Sequence, residues 1–138
     1  MKNKILIIHG PNMNFIGLKS AKDGSRITID KIDRAIRKKV KSLNFEVKIL
    51  RTHDEAKAVS FIQRNRKTAL GLVISPTSWH KGGFTISDTL HFLEIPYLTI
   101  SLNKIDNSLF YKGKDFCKSN VIESYEKALE KITNKFCD

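Results

Sequence analysis

Short apolar segments alternate with amphipathic segments along most of the chain, and this alternation limits the possible folds more than any other feature. Continuous apolar runs occupy residues 4–8, 45–50, 69–74 and 96–101. Between the first two runs, apolar residues recur in steps of three and four, as at Ile29, Ile32 and Ile36, which is the spacing of one helix face. The pattern predicts strands at the four runs and helices over residues 28–43, 54 to about 65, 83–93, and from 119 or 120 onward.

Strands that are apolar throughout are typical of a parallel sheet covered by helices on both faces. We therefore predict a flavodoxin-like, doubly wound α/β fold, with a parallel sheet of four to five strands in a three-layer α/β/α arrangement. The 138 residues have the length of a single domain, residues 1–138. Two polar segments, 19–26 and 102–118, interrupt the pattern, and the first is a candidate for a mobile lid.

The chain is strongly basic, with 25 Lys and Arg residues against 14 Asp and Glu residues and a formal net charge of +11. A solvated basic surface and the attraction of an anion both account for this excess. The basic residues are spread along the sequence without an aromatic-and-basic motif for nucleic acid. We therefore favour a solvated surface that also helps to bind a small anion, and we expect no nucleic-acid partner.

The apolar runs are too short to cross a membrane, and residues 10–12 interrupt the first run before a signal peptide could form. We therefore expect a cytoplasmic protein without a membrane partner. Cys117 and Cys137 lack the spacing of metal ligands, and we expect two reduced thiols rather than a disulfide.

Polar side chains follow each of the predicted strands. In an open parallel sheet, ligands bind in the crevice outside the carboxyl ends of the strands. The first strand runs into the sharp turn HGPNMN, residues 9–14, and the third is followed by Trp79, His80 and Lys81. His80 can move protons near neutral pH. Lys81 has two alternative interpretations, and both remain open. It is a functional amine, which binds an anion or acts as a nucleophile, or it is a charge that faces solvent.

Other polar clusters have simpler structural explanations. Adjacent His53, Asp54 and Glu55 rarely bind one metal ion together, and we favour an Asp54 that caps the second helix beside a loop histidine. Gly82 and Gly83 either admit an anion to a helix N-terminus or form a tight turn. Because no set of residues has metal-ligand spacing, we expect no metal.

The opening motif HGPNMNFIG, residues 9–17, closely resembles the Gly-Pro-Asn-Leu-Asn-Leu-Leu-Gly signature of type II 3-dehydroquinate dehydratases. The resemblance continues, mainly by spacing, through about Lys112. It implies a flavodoxin-like fold, a homo-oligomer (a trimer or a dodecamer), and removal of water from 3-dehydroquinate in the shikimate pathway of aromatic amino acid biosynthesis, without metal or cofactor. In that family an ionised lid tyrosine removes a proton, an asparagine-held water stabilises the enolate, and a histidine protonates the leaving hydroxyl.

The resemblance assigns roles to the positions that match. Asn12 stands at the water-holding asparagine, and Asp88 stands at an acidic residue on the helix after the third strand. Lys19 occupies an arginine position in the lid. Asp23, before Gly24, occupies the position of the lid tyrosine.

Later positions match with other residue types. Ser75 replaces an asparagine, and Lys81 aligns with a histidine to which His80 is adjacent. Thr99 and Ser101 stand where the family has a glutamate and its catalytic histidine. The last matches are Asn103 at a carboxylate-binding serine and Lys112 at an arginine. Residues 114–122 are shorter and more polar than the family's fifth strand, which we expect to be much reduced or missing.

The favoured hypothesis is a divergent lyase that removes water from 3-dehydroquinate or a related small anionic hydroxy acid. Its candidate catalytic residues are Asn12, Asp23, His80 and Ser101. Its candidate substrate-binding residues are Lys19, Ser75, Lys81, Asp88, Asn103 and Lys112. The alternative is a catalytically inactive or repurposed family member that binds a small anion or serves in assembly. Imine formation at Lys81 is a third hypothesis and the least favoured, because an exposed lysine is seldom desolvated.

Overall fold

The computed structural model describes residues 2–18 and 26–134. The strands in this part of the chain are β1 (Lys4–His9), β2 (Glu46–Arg51), β3 (Ala69–Ser75), β4 (Tyr97–Ile100) and β5 (Asp115–Phe116). They form one sheet in the order β2-β1-β3-β4-β5, and every pairing is parallel. This is the strand order of the flavodoxin-like doubly wound folds, so the predicted fold class is confirmed.

Helices connect these strands on both sides of the sheet. They are α1 (Ile29–Ser42), α2 (Glu55–Asn65), α3 (Trp79–Gly82), α4 (Phe84–Phe92) and α5 (Val121–Asn134), and a 3-10 turn over Met13–Phe15 follows β1. The Asp54 carboxylate accepts a hydrogen bond from the backbone N–H of Ala56 at 2.9 Å, which confirms that Asp54 caps α2. Within the described ranges, none of the helices has the length and apolar character needed to span a bilayer.

Alternate residues of β1 face different helices. Ile5 and Ile7 belong to an apolar cluster that also contains buried residues of α1 and α5. Leu6 and Ile8 belong to a second cluster, which contains buried residues of α2 and α4. All four side chains are fully buried. The sheet is therefore covered on both faces, and its polar groups are displaced to the strand ends.

The structure differs from the sequence prediction after β3. The helical region after β3 begins earlier than residue 83, because α3 forms first and its hydrogen bonding continues to Gly83, whose N–H donates to the Trp79 carbonyl at 2.8 Å. The fifth strand contains only Asp115 and Phe116, so of the two expected alternatives, much reduced or missing, the first is confirmed. A strand of two residues is too short to show the periodicity that a sequence reveals. Of the candidate lid, residues 19–25 lie outside the described residues.

Gly71 of β3 lies directly beneath α5, and this contact is testable. A Cβ atom at residue 71 would lie 2.6 Å from Ile132 Cγ1 and 3.1 Å from the Pro96 carbonyl oxygen. We expect Gly71→Ala to lower the free energy of unfolding by about 1–3 kcal/mol, because α5 must move away from the sheet. Urea denaturation measures this change. Gly82→Ala is the matched control, since a Cβ there meets no atom within 4 Å. Equal stability of the two variants would contradict the close packing.

Candidate active site

Two hydrogen-bonded clusters of polar side chains lie at the carboxyl ends of the central strands. The His9 network consists of His9, Asp33, Arg51, Ser75 and Tyr125. The His80 network consists of His80, Thr99, Ser101, Ser108 and Asp115. In the described part of the chain, no buried side-chain nitrogen or oxygen atom lacks a hydrogen-bond partner.

The His9 network joins the end of β1 to four neighbouring elements. His9 is 1% exposed, and its Nε2 atom lies 2.7 Å from Asp33 Oδ1 on α1. Its Nδ1 atom lies 3.0 Å from the hydroxyl of Tyr125 on α5, which also hydrogen-bonds the Ser75 hydroxyl at the end of β3. On the other side, Arg51 of β2 donates from Nε and Nη2 to Asp33 Oδ2 at 3.0 and 2.7 Å. The network therefore ties two helices to three adjacent strands.

The charges of this network are set by burial and by these contacts. Burial alone would raise the pKa of Asp33, but the hydrogen bonds and positive charge from His9 and Arg51 outweigh it and lower the pKa below its usual value. Asp33 is therefore ionised, and its carboxylate accepts a hydrogen bond from the Nε2–H group of His9. Burial raises the pKa of Tyr125 well above its ordinary range, although the Ser75 hydrogen bond opposes this. Tyr125 is therefore a neutral hydroxyl near pH 7, not an ionised base.

The His80 network lies at the end of β4. His80 Nε2 is 3.0 Å from Ser101 Oγ, and its Nδ1 is 2.6 Å from Ser108 Oγ. His80 is 3% exposed and Ser101 is 5% exposed. The carboxylate of Asp115, on the edge strand β5, accepts hydrogen bonds from the Thr99 and Ser101 hydroxyls at 2.6 and 2.7 Å. An imidazole, three hydroxyls and a carboxylate are thus connected by hydrogen bonds.

The pKa of His80 is lowered from its ordinary value. Burial is the main cause, because it disfavours the imidazolium, and the nearby Lys81 charge acts in the same direction. The Asp115 carboxylate opposes both by attracting the positive form. His80 is therefore mainly neutral near pH 7, and acid is needed to charge it.

The structure brings together two of the predicted catalytic residues, His80 and Ser101. Asn12 is exposed at the start of the 3-10 turn with a φ of 68°, and its side chain makes no capping hydrogen bond there. Asp23 lies outside the described residues. Ser75, predicted to bind substrate, lies in the His9 network instead.

The remaining predicted binding residues are divided between loops and a groove. The Lys81 ammonium group donates to the carbonyl oxygens of Asp106 and Asn107, the second at 3.2 Å, and thereby fastens α3 to the loop after β4. Asp88 and Lys112 line a groove of about 950 Å³ along α4. Within that groove, Lys112 Nζ lies 2.7 Å from His91 Nδ1. Asn103 is exposed on the loop after β4, and Lys19 lies outside the described residues.

A smaller cavity opens beside the His9 network. Its volume is about 140 Å³, and His9, Gly10, Asn14, Arg51, Thr52 and His53 line it. In the described residues, no group of three or more His, Cys, Asp or Glu side chains could hold a metal ion. The Glu55 carboxylate accepts a hydrogen bond from the Ile86 backbone N–H at 3.4 Å.

Sequence reasoning missed Asp33, Tyr125 and Asp115 as members of the polar networks. Two of them carry a detectable signal. Asp33 follows Ile29 by four positions and therefore lies on the buried face of α1, where a charge needs a partner. Tyr125 lies in the buried stripe of α5, and a buried tyrosine hydroxyl usually finds a hydrogen-bond partner. Asp115 has no comparable signal, because its contacts depend on the register of a two-residue strand.

Asp33 offers a test of the His9 network. We expect Asp33→Asn to lower the free energy of unfolding by about 1–3 kcal/mol at pH 7, because His9 and Arg51 lose their charged acceptor. The lowered pKa means that this stabilisation is present above the ordinary value of 3.8 and is lost as pH falls through the folded-state pKa. Urea denaturation at several pH values measures it.

Asp30→Asn is the control for this experiment. The Asp30 carboxylate contacts the same Arg51 at 2.8 Å, but its side chain is 77% exposed, so a much smaller effect is expected. An Asp33→Asn penalty that stayed constant down to the most acidic pH would show that the carboxylate charge contributes nothing.

Comparison with known proteins places the chain in a family. A family model described as class II dehydroquinase matches residues 3–132. A 3-dehydroquinate dehydratase of Halothermothrix orenii is 27% identical over 145 residues, with 96% of this chain and 95% of that protein covered. One from Buchnera aphidicola subsp. Acyrthosiphon pisum is 29% identical over 150 residues, covering 98% and 97%.

Solved structures agree at the level of the fold. The type II dehydroquinase of Butyrivibrio crossotus superposes with a TM-score of 0.82 at 22% identity, covering 95% of this chain and 97% of that one. A 3-dehydroquinate dehydratase-like protein of Bifidobacterium longum gives a TM-score of 0.73 at 16% identity, with both chains fully covered. From the match over residues 3–132, the chain belongs to the class II dehydroquinase family.

Proposed function

We propose that the chain is a divergent type II 3-dehydroquinate dehydratase-like lyase. It removes water from 3-dehydroquinate or a related small anionic hydroxy acid by acid–base chemistry, without a metal or cofactor. Membership of the family and the relatives named as 3-dehydroquinate dehydratases support this proposal. With 3-dehydroquinate as substrate, the reaction belongs to the shikimate pathway.

The contact between His80 and Ser101 is the observation that carries the proposal. Ser101 stands at the position where the resemblance places a general-acid histidine, and serine cannot replace imidazole in that role by itself. The His80 imidazole reaches this position from the turn after β3, with Nε2 3.0 Å from Ser101 Oγ. An imidazole is therefore retained at the end of β4, although a different element supplies it.

These two residues deliver the proton that the departing hydroxyl needs. Asp23 takes the proton from the carbon beside the ketone, and the electron pair forms an enolate stabilised by a water that Asn12 holds. The enolate electrons then form the carbon–carbon double bond as the carbon–oxygen bond breaks. Charged His80 gives its Nε2 proton to Ser101 Oγ, and Ser101 gives its own proton to the leaving hydroxyl. The hydroxyl departs as water, and His80 is left neutral.

Lysine side chains attract the anionic substrate. Lys19, Lys81 and Lys112 supply positive charge, and the chain as a whole carries +11. Ser108 hydrogen-bonds the His80 imidazole, and Lys112, four residues later in the chain, lines the groove together with Asp88. We retain Ser75 and Asn103 as further substrate contacts.

Turnover of 3-dehydroquinate tests the proposed function. We expect the purified chain to form the conjugated enone product, followed by ultraviolet absorbance, and we expect His80→Asn to lower kcat by about a hundredfold or more. The reason is that no other imidazole in the described residues hydrogen-bonds Ser101.

His53→Asn is the matched control for the loss of a histidine. His53 is exposed beyond the end of β2, and β1 and β3 separate β2 from β4, so its replacement should leave turnover unchanged. Absence of product above a buffer blank would overturn the proposed function. A small carboxylate that raised the melting temperature without turnover would favour the inactive, anion-binding alternative.

We also propose a cytoplasmic location and assembly into a homo-oligomer, either a trimer or a dodecamer. Large apolar side chains on the surface support assembly, since exposed apolar clusters mark interaction sites. The most exposed are Phe15, Leu18, Phe84, Phe92 and Tyr111, at 56%, 67%, 65%, 83% and 78%.

Light scattering coupled to size-exclusion chromatography tests the assembly. We expect a mass that is a multiple of the 15.8 kDa chain. Phe92→Ser should shift the population towards smaller species, because it removes the most exposed aromatic ring of α4. A monomeric mass at every protein concentration would contradict the proposed assembly.

A further inference from the structure

The Asp115 carboxylate receives two hydroxyl groups from β4. Its Oδ1 atom accepts from Thr99 Oγ1 at 2.6 Å and from Ser101 Oγ at 2.7 Å. The register of the two strands pairs Thr99 with Asp115, so these three side chains share one face of the sheet. Asp115 is exposed, whereas Ser101 and Thr99 are buried. The Ser101 hydroxyl therefore lies between a buried imidazole and a carboxylate that meets solvent.

These contacts determine which nitrogen of His80 carries the proton. A carboxylate only accepts hydrogen bonds, so Ser101 directs its own proton to Asp115 and keeps its oxygen lone pairs available. His80 Nε2 lies 3.0 Å from that oxygen and therefore donates to it. Neutral imidazole carries one N–H, so Nδ1 is unprotonated and accepts from the Ser108 hydroxyl at 2.6 Å.

The other end of this chain of contacts is consistent with the same assignment. Ser108 Oγ accepts a hydrogen bond from the Phe110 backbone N–H at 3.0 Å, so its hydroxyl proton is available for His80 Nδ1. The Phe110 ring also packs edge-on against the imidazole, with 6.1 Å between the ring centroids, and limits its rotation. Each proton in the network thus has one donor and one acceptor.

We propose that Asp115 is a positioning residue that, by binding the Ser101 hydroxyl, holds His80 in the tautomer protonated at Nε2. The Nε2 proton then points to the end of β4, and the Ser101 proton points away from the core towards solvent. The proposed mechanism uses the same contact, in which His80 Nε2 faces the Ser101 hydroxyl that passes a proton to the departing hydroxyl. The catalytic use of this arrangement rests on the proposed function, but the assignment of the tautomer does not.

Two charged groups act on His80 from the surrounding elements. Asp115 on β5 raises the pKa of His80, and Lys81, the next residue on α3, lowers it, while burial lowers it further. Replacement of Asp115 by asparagine removes the negative charge that raises the His80 pKa, while burial and the Lys81 charge continue to lower it. Such a variant should therefore lower the pKa of His80 below its value in the native chain.

NMR of the full chain labelled with 15N at histidine tests the proposal. Two-bond proton–nitrogen correlations report which imidazole nitrogen carries the proton, and a pH series reports the pKa of each histidine. The variant is Asp115→Asn, whose amide can donate to Ser101 and so lets the Ser101 proton turn towards His80 Nε2. The matched control is Thr99→Val, which removes the other hydrogen bond to the same Asp115 oxygen but leaves Ser101 and the charge intact.

We expect the native chain and Thr99→Val to show His80 protonated at Nε2 near neutral pH. Asp115→Asn should show a substantial fraction protonated at Nδ1 and a lower His80 pKa. A native His80 protonated at Nδ1 would overturn the proposal. So would an Asp115→Asn variant whose His80 tautomer matched that of Thr99→Val. Similar melting temperatures of the two variants show that loss of structure does not explain the difference.

Kinetics then separates this proposal from the proposed function. In an active chain, Asp115→Asn should lower kcat by about tenfold or more with little change in KM, because a lower His80 pKa leaves less of the charged imidazole that donates the proton. Thr99→Val should retain most of the activity. An inactive native chain with the expected tautomers would overturn the proposed function and support the role of Asp115 in positioning.

Discussion

The complete burial of the central strands is the constraint on which the rest of the structure depends. Ile5 to Ile8 of β1 are 0% exposed, and every residue of β3 is buried. A buried polar group without a partner costs several kcal/mol, on the order of 2–7 depending on its reference state. Strands covered on both faces therefore exclude polar side chains along their length. The histidines, serines and carboxylates of the site collect where the strands end and the helices diverge.

The polar groups at that edge must also supply hydrogen-bond partners for one another, and these contacts determine their protonation states. Tyr125 is enclosed and stays neutral, so it contributes a hydroxyl and not a phenolate. Asp33 is held ionised by two cationic or proton-donating neighbours despite its burial. The His9 network thus joins β1 to α1 and α5 as a structural brace. The lowered pKa of His80 places the charging of its imidazole on the acid side of neutrality.

The sequence predicts the fold well because periodicity and strand burial are properties of local residue order. It also places His80 and Ser101 at the correct edge, since His80 lies in the turn after the third apolar run and Ser101 ends the fourth. It cannot predict that Lys81 binds loop carbonyl oxygens, because those contacts require the folded path of residues 106 and 107. Nor can it assign a partner to Tyr125, since a buried stripe reveals that a side chain is enclosed but not what it meets. The contacts of Asp115 depend on the register between β4 and β5, and a two-residue strand is too short for its register to be predicted from the sequence.

The hydrogen bond between His9 and Tyr125 joins residues 116 positions apart. During synthesis, β1 and β3 emerge well before the helix that supplies Tyr125. Until that helix arrives, His9 and Ser75 lack the hydroxyl that pairs with them, and each unmet group costs about 1–3 kcal/mol when buried. Before α5 docks, burial of this polar edge of the sheet is therefore unfavourable. Docking of α5 closes it, so a strongly non-local contact couples the first strand of the chain to its last helix in one cooperative event.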